Sequence, residues 1–268
     1  MVRKLIKYDF TSYMRLLLPV QLILLGIAAL NRFVQLFEDG STVYNIVFYS
    51  SIVLYVISII VALVLTMVVG IVRFYQGMYS GEGYLSHTLP VTPTQHILSK
   101  LIVTILYYLG TFLAIFLSFM IVTLGEMNIE LFKSAGFMFG RLMSYTHGHA
   151  VLYVIELVLL IVTSLVCGML CYYFCISVGQ LAQKRKILLA FGVYFGLYII
   201  SQILGTILVV VFSLMGHDVY TGMYMWIANH SIAFYHIVFG IGIAIQLIMS
   251  VVYFLLIRYI MSKKLNLA

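Results

Sequence analysis

Charged residues are scarce in this chain and make up only 9% of its 268 residues. A soluble domain carries about a quarter charged residues, so the composition excludes an ordinary soluble globular protein. Cysteine is also rare, and three cysteines are too few for a disulfide framework. Hydrophobic residues fill 64% of the chain instead. This predicts an integral membrane protein of the all-α class.

The sequence lacks the short motifs of common catalytic sites. It contains no H-E-x-x-H and no G-x-S-x-G, and we therefore assign no catalytic residue. It contains no G-x-x-x-x-G-K-[ST] either, so the chain has no P-loop with which to bind ATP. We predict that this chain itself binds no cofactor.

Six apolar stretches are long enough to cross a bilayer as helices, since a spanning helix needs about 20 residues. They lie at about 16–37, within 40–72, at about 101–124, within 150–178, within 187–215 and at about 236–257. We find no internal repeat and no linker. The sequence therefore predicts a polytopic protein with one transmembrane domain of residues 1–268.

The basic residues predict the orientation of these spans. If the N-terminus is cytoplasmic, all Lys and Arg residues except Arg32, Lys133 and Arg141 lie on the inner side. Positive loops stay inside, so we predict that both termini are cytoplasmic. The net charge of +7 is then an orientation signal and gives no reason to expect nucleic acid as a partner.

Two segments outside the spans are amphipathic or aromatic. In residues 1–15, apolar side chains that include Phe10 recur at helical spacing, and Lys4 and Lys7 flank them. This predicts an interfacial helix, which either only anchors the chain or also touches a cytosolic partner. The loops at 125–149 and 216–235 are rich in aromatic residues, which predicts elements at the outer membrane surface.

The polar interruption with the clearest internal layout is RFYQGMYSGEGYLSHTLPVTPTQHILSK, residues 73–100. Thr92 can cap a helix, Pro93 suits its first position, and Gln95 completes a capping box. Pro90 restricts the residue before it and predicts a turn there. The third spanning helix should therefore begin close to Thr92, ahead of the membrane.

Upstream of this cap, glycines at positions 77, 81 and 83 should interrupt any long helix. The remaining chain has room for a short helix around 79–87, parallel to the membrane. It would present Tyr84, Leu85 and Leu89 beside Glu82, an apolar knob with one charge that suits a groove on another protein. The alternative is a loop that packs on its own helices.

Glu156 is the only carboxylate inside a predicted span. Such a group is a candidate functional residue, and two interpretations remain open. Glu156 either has a structural role, reaching water or Arg141, or it faces a transport pathway. Gln21, Gln202 and Gln246 are further polar points that can join helices, and the last two are also pathway candidates.

Two further groups resemble metal sites but have simpler explanations. Cys167, Cys171 and Cys175 share one helix face, where small residues pack well between helices. His147 and His149 form an isolated pair in a loop. We assign no metal ligand to either group.

The overall layout resembles a known family. A basic amphipathic segment, KLIKYDFTSYMRLLLP, precedes six spans, and R-F-Y…G-E-G-Y-L…T-L-P-V-T-P…I-L-S-K joins the second span to the third. A short aromatic element precedes the last span, and a basic tail ends the chain. In this the chain resembles the permease subunits of bacterial type-two ATP-binding cassette (ABC) exporters, in which permease and ATPase are separate chains.

The resemblance implies a set of roles and partners. The loop would be a cytosolic coupling helix that docks on the ATPase, and the N-terminal segment with Lys4, Lys7 and Phe10 would be the interface helix. ATP and magnesium would bind the partner ATPase, and a second permease chain, identical or not, would complete the pathway in the bacterial plasma membrane. The coupling residues would be Tyr79, Glu82, Gly83, Tyr84, Leu85, Leu89 and Pro90.

The expected function is then export of a peptide, a drug or a lipid-like substrate, driven by ATP hydrolysis on the partner chain. Two other classes remain open. One is a membrane-embedded enzyme that uses Glu156 with His147 or His149. The other is an immunity or sensor subunit that binds a ligand outside the cell without transporting it.

Overall fold

A computed structural model describes residues 2–37, 41–80, 92–124, 126–146, 148–182, 184–214 and 217–263. These residues form eight α-helices and no strand, which confirms the predicted all-α class. The helices are α1 (Val2–Gln35), α2 (Thr42–Tyr79), α3 (Pro93–Val122), α4 (Glu126–Tyr145), α5 (Ala150–Gly179), α6 (Lys186–Leu214), α7 (His217–Asn229) and α8 (Ser231–Lys263).

Six of these helices, α1, α2, α3, α5, α6 and α8, are long and apolar enough to cross a membrane. The predicted number of spans is therefore confirmed, and the chain is a multi-pass membrane protein. Large apolar side chains cover the outside of these helices, as a lipid environment requires. The cytoplasmic location of the termini stays a prediction.

The first helix differs from the expected division into an interfacial helix and a separate span. Residues 2–35 form one unbroken helix, with Pro19 inside it. The reason is tertiary packing. Tyr13 and Leu17 are buried in one cluster with Val103 and Tyr107 of α3, so the amphipathic half of α1 continues directly into its apolar half.

The second helix is longer than predicted, and the expectation that Gly77 interrupts it is wrong. Gly77 is buried inside α2, and Tyr79 is the last residue of this helix rather than the start of a separate one. A glycine costs only about 1 kcal/mol in a helix interior, which the packing described below offsets. The other predicted coupling residues lie outside the described part of the chain: Glu82, Gly83, Tyr84, Leu85, Leu89 and Pro90.

The start of α3 agrees with the capping prediction. Thr92 is the N-cap residue in an extended conformation, and Pro93 occupies the first turn. The backbone N–H of Thr92 donates to Oε1 of Gln95 at 3.3 Å. This local arrangement fixes where the third helix begins.

The chain forms two compact units, Met1–Met138 and Phe139–Ala268. In the first unit, α1, α2 and α3 all pack against one another, and in the second, α5 packs against both α6 and α8. The short helices α4 and α7 have exposed side chains along most of their described length. Whether the two units make up one transmembrane domain, as the sequence predicts, depends on how they combine. The single domain therefore stays a prediction.

Hydrogen bonds between helices give the relative helix directions within the first unit. Two residue pairs link α1 to α3, and the pair with the higher number on α1 also has the higher number on α3, so these helices run parallel. In the two pairs that link α2 to α3, the higher number on α2 goes with the lower number on α3, so α2 runs antiparallel to α3. The pairs are Tyr13–Thr104 at 3.1 Å, Gln21–Thr111 at 3.2 Å, Tyr55–Ser118 at 2.9 Å and Thr66–Thr111 at 2.9 Å.

The second unit follows the same rule. His236 of α8 contacts Glu156 of α5, and Gln246 of α8 contacts Thr163 of α5, so α5 and α8 run parallel. These helices are the fourth and sixth candidate spans. A chain that crosses the membrane repeatedly reverses direction at each crossing, so spans two apart should run parallel. The first and third spans do so in the first unit, and the fourth and sixth do so in the second.

Candidate functional site

A first polar cluster lies where α2 ends and α3 begins, on either side of the connection between these two helices. We call it the Asp9 cluster and define it as Asp9, Gly77, Ser99 and Lys100. Nζ of Lys100 lies 3.1 Å from Oδ1 of Asp9, and Oγ of Ser99 donates to Oδ2 at 3.0 Å. The side chains of Lys100 and Asp9 are only 8% and 15% exposed. This is a nearly enclosed ion pair with both carboxylate oxygens satisfied.

Gly77 explains how the lysine reaches this position. A Cβ added at Gly77 would lie against Nζ of Lys100 and within 2.8 Å of its Cε. The lysine side chain therefore crosses α2 at a glycine, where no side chain of that helix is in its way. Glycine leaves room for this close approach, and a side chain here would force the end of Lys100 to shift. The approach ties α2 to the ion pair between α1 and α3.

Three further contacts fasten the first half of α1 to the same two helices. Nη2 of Arg73 donates to the carbonyl of Ser12 at 3.3 Å. The hydroxyl of Tyr107 donates to the carbonyl of Phe10 at 2.9 Å, and the two rings stack with centroids 5.0 Å apart. The N-terminal helix, the end of α2 and the start of α3 therefore form one connected body.

The residues that the family resemblance assigned to an interface helix divide into two groups. Lys4 and Lys7 are exposed, as a contact with lipid or a partner requires. Phe10 contacts Tyr107 within the chain and is 40% exposed. Sequence reasoning missed Asp9, although a single acidic residue in a basic amphipathic helix was a signal for an internal partner.

A second polar cluster lies between α5 and α8. We call it the Glu156 cluster and define it as Tyr153, Glu156 and His236. Nδ1 of His236 lies 2.7 Å from Oε1 and 2.8 Å from Oε2 of Glu156. The side chains of His236 and Glu156 are 23% and 24% exposed. The ionisable pair is thus much more accessible than the pair in the Asp9 cluster.

An aromatic ring stacks on this pair, and two further rings contact that ring. The ring of Tyr153 stacks on His236 with centroids 4.6 Å apart and an angle of 7°, and its hydroxyl donates to the carbonyl of Ile232 at 3.2 Å. Tyr235 and Phe239 approach Tyr153 at 6.2 Å and 6.4 Å. The carboxylate therefore lies in an aromatic environment that is not closed to the outside.

The hydrogen bonds favour one tautomer of His236. Nδ1 lies within 2.8 Å of both carboxylate oxygens, a geometry that suits an Nδ1–H that donates to an ionised Glu156. Nε2 of His236 is buried and has no hydrogen-bond partner among the described residues. If the ring is neutral, it gives Glu156 no counter-charge. If the ring is charged, a buried N–H lacks an acceptor in this part of the chain.

The glutamines singled out in the sequence are not brought to one place. Gln246 lies at the α5–α8 interface, where Oγ1 of Thr163 donates to its Oε1 at 2.6 Å. Gln202 has an exposed side chain on α6. Gln21 donates to Thr111 in the other unit. Gln21 and Gln246 therefore join helices as predicted, and only Gln246 shares an interface with Glu156.

The residues considered as metal ligands do not form a metal site in the described part of the chain. No group of three His, Cys, Asp or Glu residues has the required arrangement there. Cys175 is buried, and Cys167 and Cys171 are partly buried. His149 lies 5.4 Å from His236 between ring centroids, and His147 lies outside the described residues.

His236 is the residue that sequence reasoning missed in the second unit. It lies near the start of the last span, where it was one of several histidines near a membrane boundary. A carboxylate in an apolar helix needs a partner, and this signal was visible. The sequence proposed Arg141 for that role, whereas the structure pairs Glu156 with His236.

Comparison of this chain with protein-family models, with curated proteins and with solved structures gives no match.

Proposed function

We propose that this protein is the membrane-spanning permease subunit of a bacterial ABC exporter. A separate ATPase chain would bind ATP and magnesium and dock on the connection between α2 and α3. A second permease chain would complete the pathway in the plasma membrane, in contact with lipid. The substrate would be a peptide, a drug or a lipid-like molecule.

The Asp9 cluster is the observation that carries this proposal. A cytosolic motor moves a spanning helix only if the docking segment is joined firmly to that helix. Residues 81–91 are bounded by the end of α2 and the start of α3, and Gly77 and Lys100 lie close to those ends. The ion pair of Lys100 with Asp9 connects both ends to α1. A displacement of the connection would therefore move three spans together.

The burial of the pair strengthens this argument. Removing one partner from a buried ion pair costs about 3–5 kcal/mol, so the cluster resists separation under load. A loop that only links two helices has no need of such a connection to a third helix. Packed helices of this kind change between discrete arrangements instead of deforming gradually.

The test expresses the chain together with the genes that neighbour its own. We expect a P-loop ATPase from among their products to co-purify with the chain, and we expect the permease to stimulate its ATP hydrolysis. Glu82→Lys and Leu85→Asp should abolish this stimulation while the permease remains folded. Glu130→Lys, the same charge change on α4, is the matched control and should have no effect.

The proposal fails if no ATPase co-purifies, or if the Glu82 and Leu85 variants stimulate hydrolysis as well as the unsubstituted chain. The same preparation tests the other two classes. A membrane-embedded enzyme would turn over without ATP and would lose this activity in Glu156→Gln. A sensor subunit would bind its ligand without ATP-dependent efflux from loaded vesicles.

A further inference from the structure

The Glu156 cluster combines features that a purely structural ion pair does not need. Its carboxylate is the only one in α5, α6 and α8. About a quarter of the Glu156 side chain is accessible, although it lies in an apolar helix. A pair that only holds two helices together is better enclosed, as the pair of Asp9 and Lys100 is.

His236 is a poor counter-ion for this carboxylate in either of its charge states. In the neutral state it donates a hydrogen bond through Nδ1 but supplies no positive charge. In the charged state its buried Nε2–H has no acceptor among the described residues, which is unfavourable. The other basic residue with a described side chain on these two helices, Arg258, lies about six turns further along α8. A permanent cation that entered the cluster would be a better partner for Glu156.

The aromatic rings favour a particular kind of cation. The ring of Tyr153 stacks on His236, and the rings of Tyr235 and Phe239 lie edge to face with Tyr153 at 6.2 Å and 6.4 Å between centroids. Tyr235 is 55% exposed and can meet an incoming molecule. Aromatic faces attract cations that carry apolar groups, because the ring quadrupole and the apolar contact act together. A small hydrated ion gains little from such surroundings.

We propose that the Glu156 cluster is a binding site for the charged group of a lipophilic organic cation. The carboxylate of Glu156 is the counter-ion, and the aromatic rings contact the apolar part of the ligand. The charged group of the ligand replaces the ring of His236 beside the carboxylate. The identification of lipophilic organic cations as the exported substrate rests on the proposed function. The binding site at Glu156 does not depend on that function.

The test measures binding of ethidium, a fluorescent lipophilic monocation, to the purified full-length chain in nanodiscs without ATP. Fluorescence anisotropy gives the dissociation constant, and the uncharged dye Nile red is the control probe. Glu156→Gln should weaken ethidium binding about tenfold to a hundredfold, which is the range for losing a contact to a charged group. Nile red binding should stay the same.

His236→Gln gives the sharper result, because its neutral amide can still donate a hydrogen bond to Glu156 but can never supply a positive charge that competes with the ligand. We expect this variant to bind ethidium as tightly as the unsubstituted chain or more tightly. If the pair were only structural, both variants would weaken binding alike. Thr163→Val breaks a different α5–α8 hydrogen bond and should leave ethidium binding unchanged.

A measurement on the unsubstituted chain covers the case in which Glu156→Gln fails to fold. Ethidium monoazide is photolysed in the bound state, and the labelled peptides are identified by mass spectrometry. Labels on α5 near Glu156 and on α8 near His236 support the site. The proposal is overturned if ethidium binds no better than to empty nanodiscs, if Glu156→Gln binds it equally well, or if the labels fall only elsewhere.

These results are separable from the test of the exporter. Binding that depends on Glu156, together with ethidium efflux that does not depend on ATP, would refute the proposed function and leave the site standing. ATP-dependent transport of another substrate without ethidium binding would refute the site alone.

Discussion

Replacing Lys100 with methionine should strongly destabilise the first unit. Methionine keeps an unbranched side chain that can cross α2 at Gly77, and it removes the positive charge. The carboxylate of Asp9, only 15% exposed, would then lack a counter-ion in an apolar environment. The substitution therefore tests the charge of the Asp9 cluster with little change in its packing.

The expected loss follows from the burial of the pair. Breaking a buried ion pair by removing one partner costs about 3–5 kcal/mol. Ser99 would still donate to Oδ2 of Asp9, so we expect a value at the lower end, about 3 kcal/mol. In Asp9→Asn with Lys100→Met neither charge remains, and most of the lost stability should return, because neutral replacement of a buried pair is often neutral or stabilising.

Hydrogen–deuterium exchange read by mass spectrometry is the appropriate assay, because it reports on each unit separately. A loss of about 3 kcal/mol corresponds to exchange about a hundredfold faster in the peptides of α1 and α3. Peptides of α5 and α8 are the internal control and should be unaffected. The reasoning is refuted if exchange in α1 and α3 is unchanged in Lys100→Met, or if the double variant exchanges faster than either single variant.

Two further predictions concern the same region. Gly77→Ala should destabilise the first unit by about 1–3 kcal/mol through overpacking against Lys100, measured by the same exchange assay. Gly26→Ala, where an added Cβ meets nothing within 4 Å, should instead be neutral or slightly stabilising; equal effects of the two would contradict the close approach. Thr92→Ala should cost about 1 kcal/mol and speed exchange only in the first turns of α3, and a change spread over the whole unit would contradict this.

The features that could be predicted from the sequence depend on composition and on neighbouring residues. The six spans follow from runs of apolar residues, because a bilayer demands them wherever a helix crosses it. The start of α3 follows from Thr92, Pro93 and Gln95, since a helix cap is made by residues within one turn. Neither inference needs any knowledge of which helices pack together.

The features that could not be predicted depend on contacts between distant parts of the chain. Asp9 and Lys100 are 91 residues apart, and Glu156 and His236 are 80 residues apart. For Glu156 the sequence indicated that a partner is needed and offered water or Arg141, whereas it offered no partner for Asp9. Gly77 was misjudged for the same reason, because its position in α2 depends on a lysine from another helix.

The two polar pairs, Asp9 with Lys100 and Glu156 with His236, also differ in a way that separates their roles. Each joins two parallel helices that no short loop connects, and in each case a polar pair can set the register of the two helices. The pair of Asp9 and Lys100 is enclosed, and both carboxylate oxygens are satisfied, so any exchange of partners would cost stability. The pair of Glu156 and His236 is partly accessible, and Nε2 of His236 has no partner among the described residues. Holding α1 to α3 accounts for the first pair, both in setting the register and in the coupling proposed above. The second pair is accessible and leaves an unmet bond that neither role explains, and for this reason we assign ligand binding to the second pair alone.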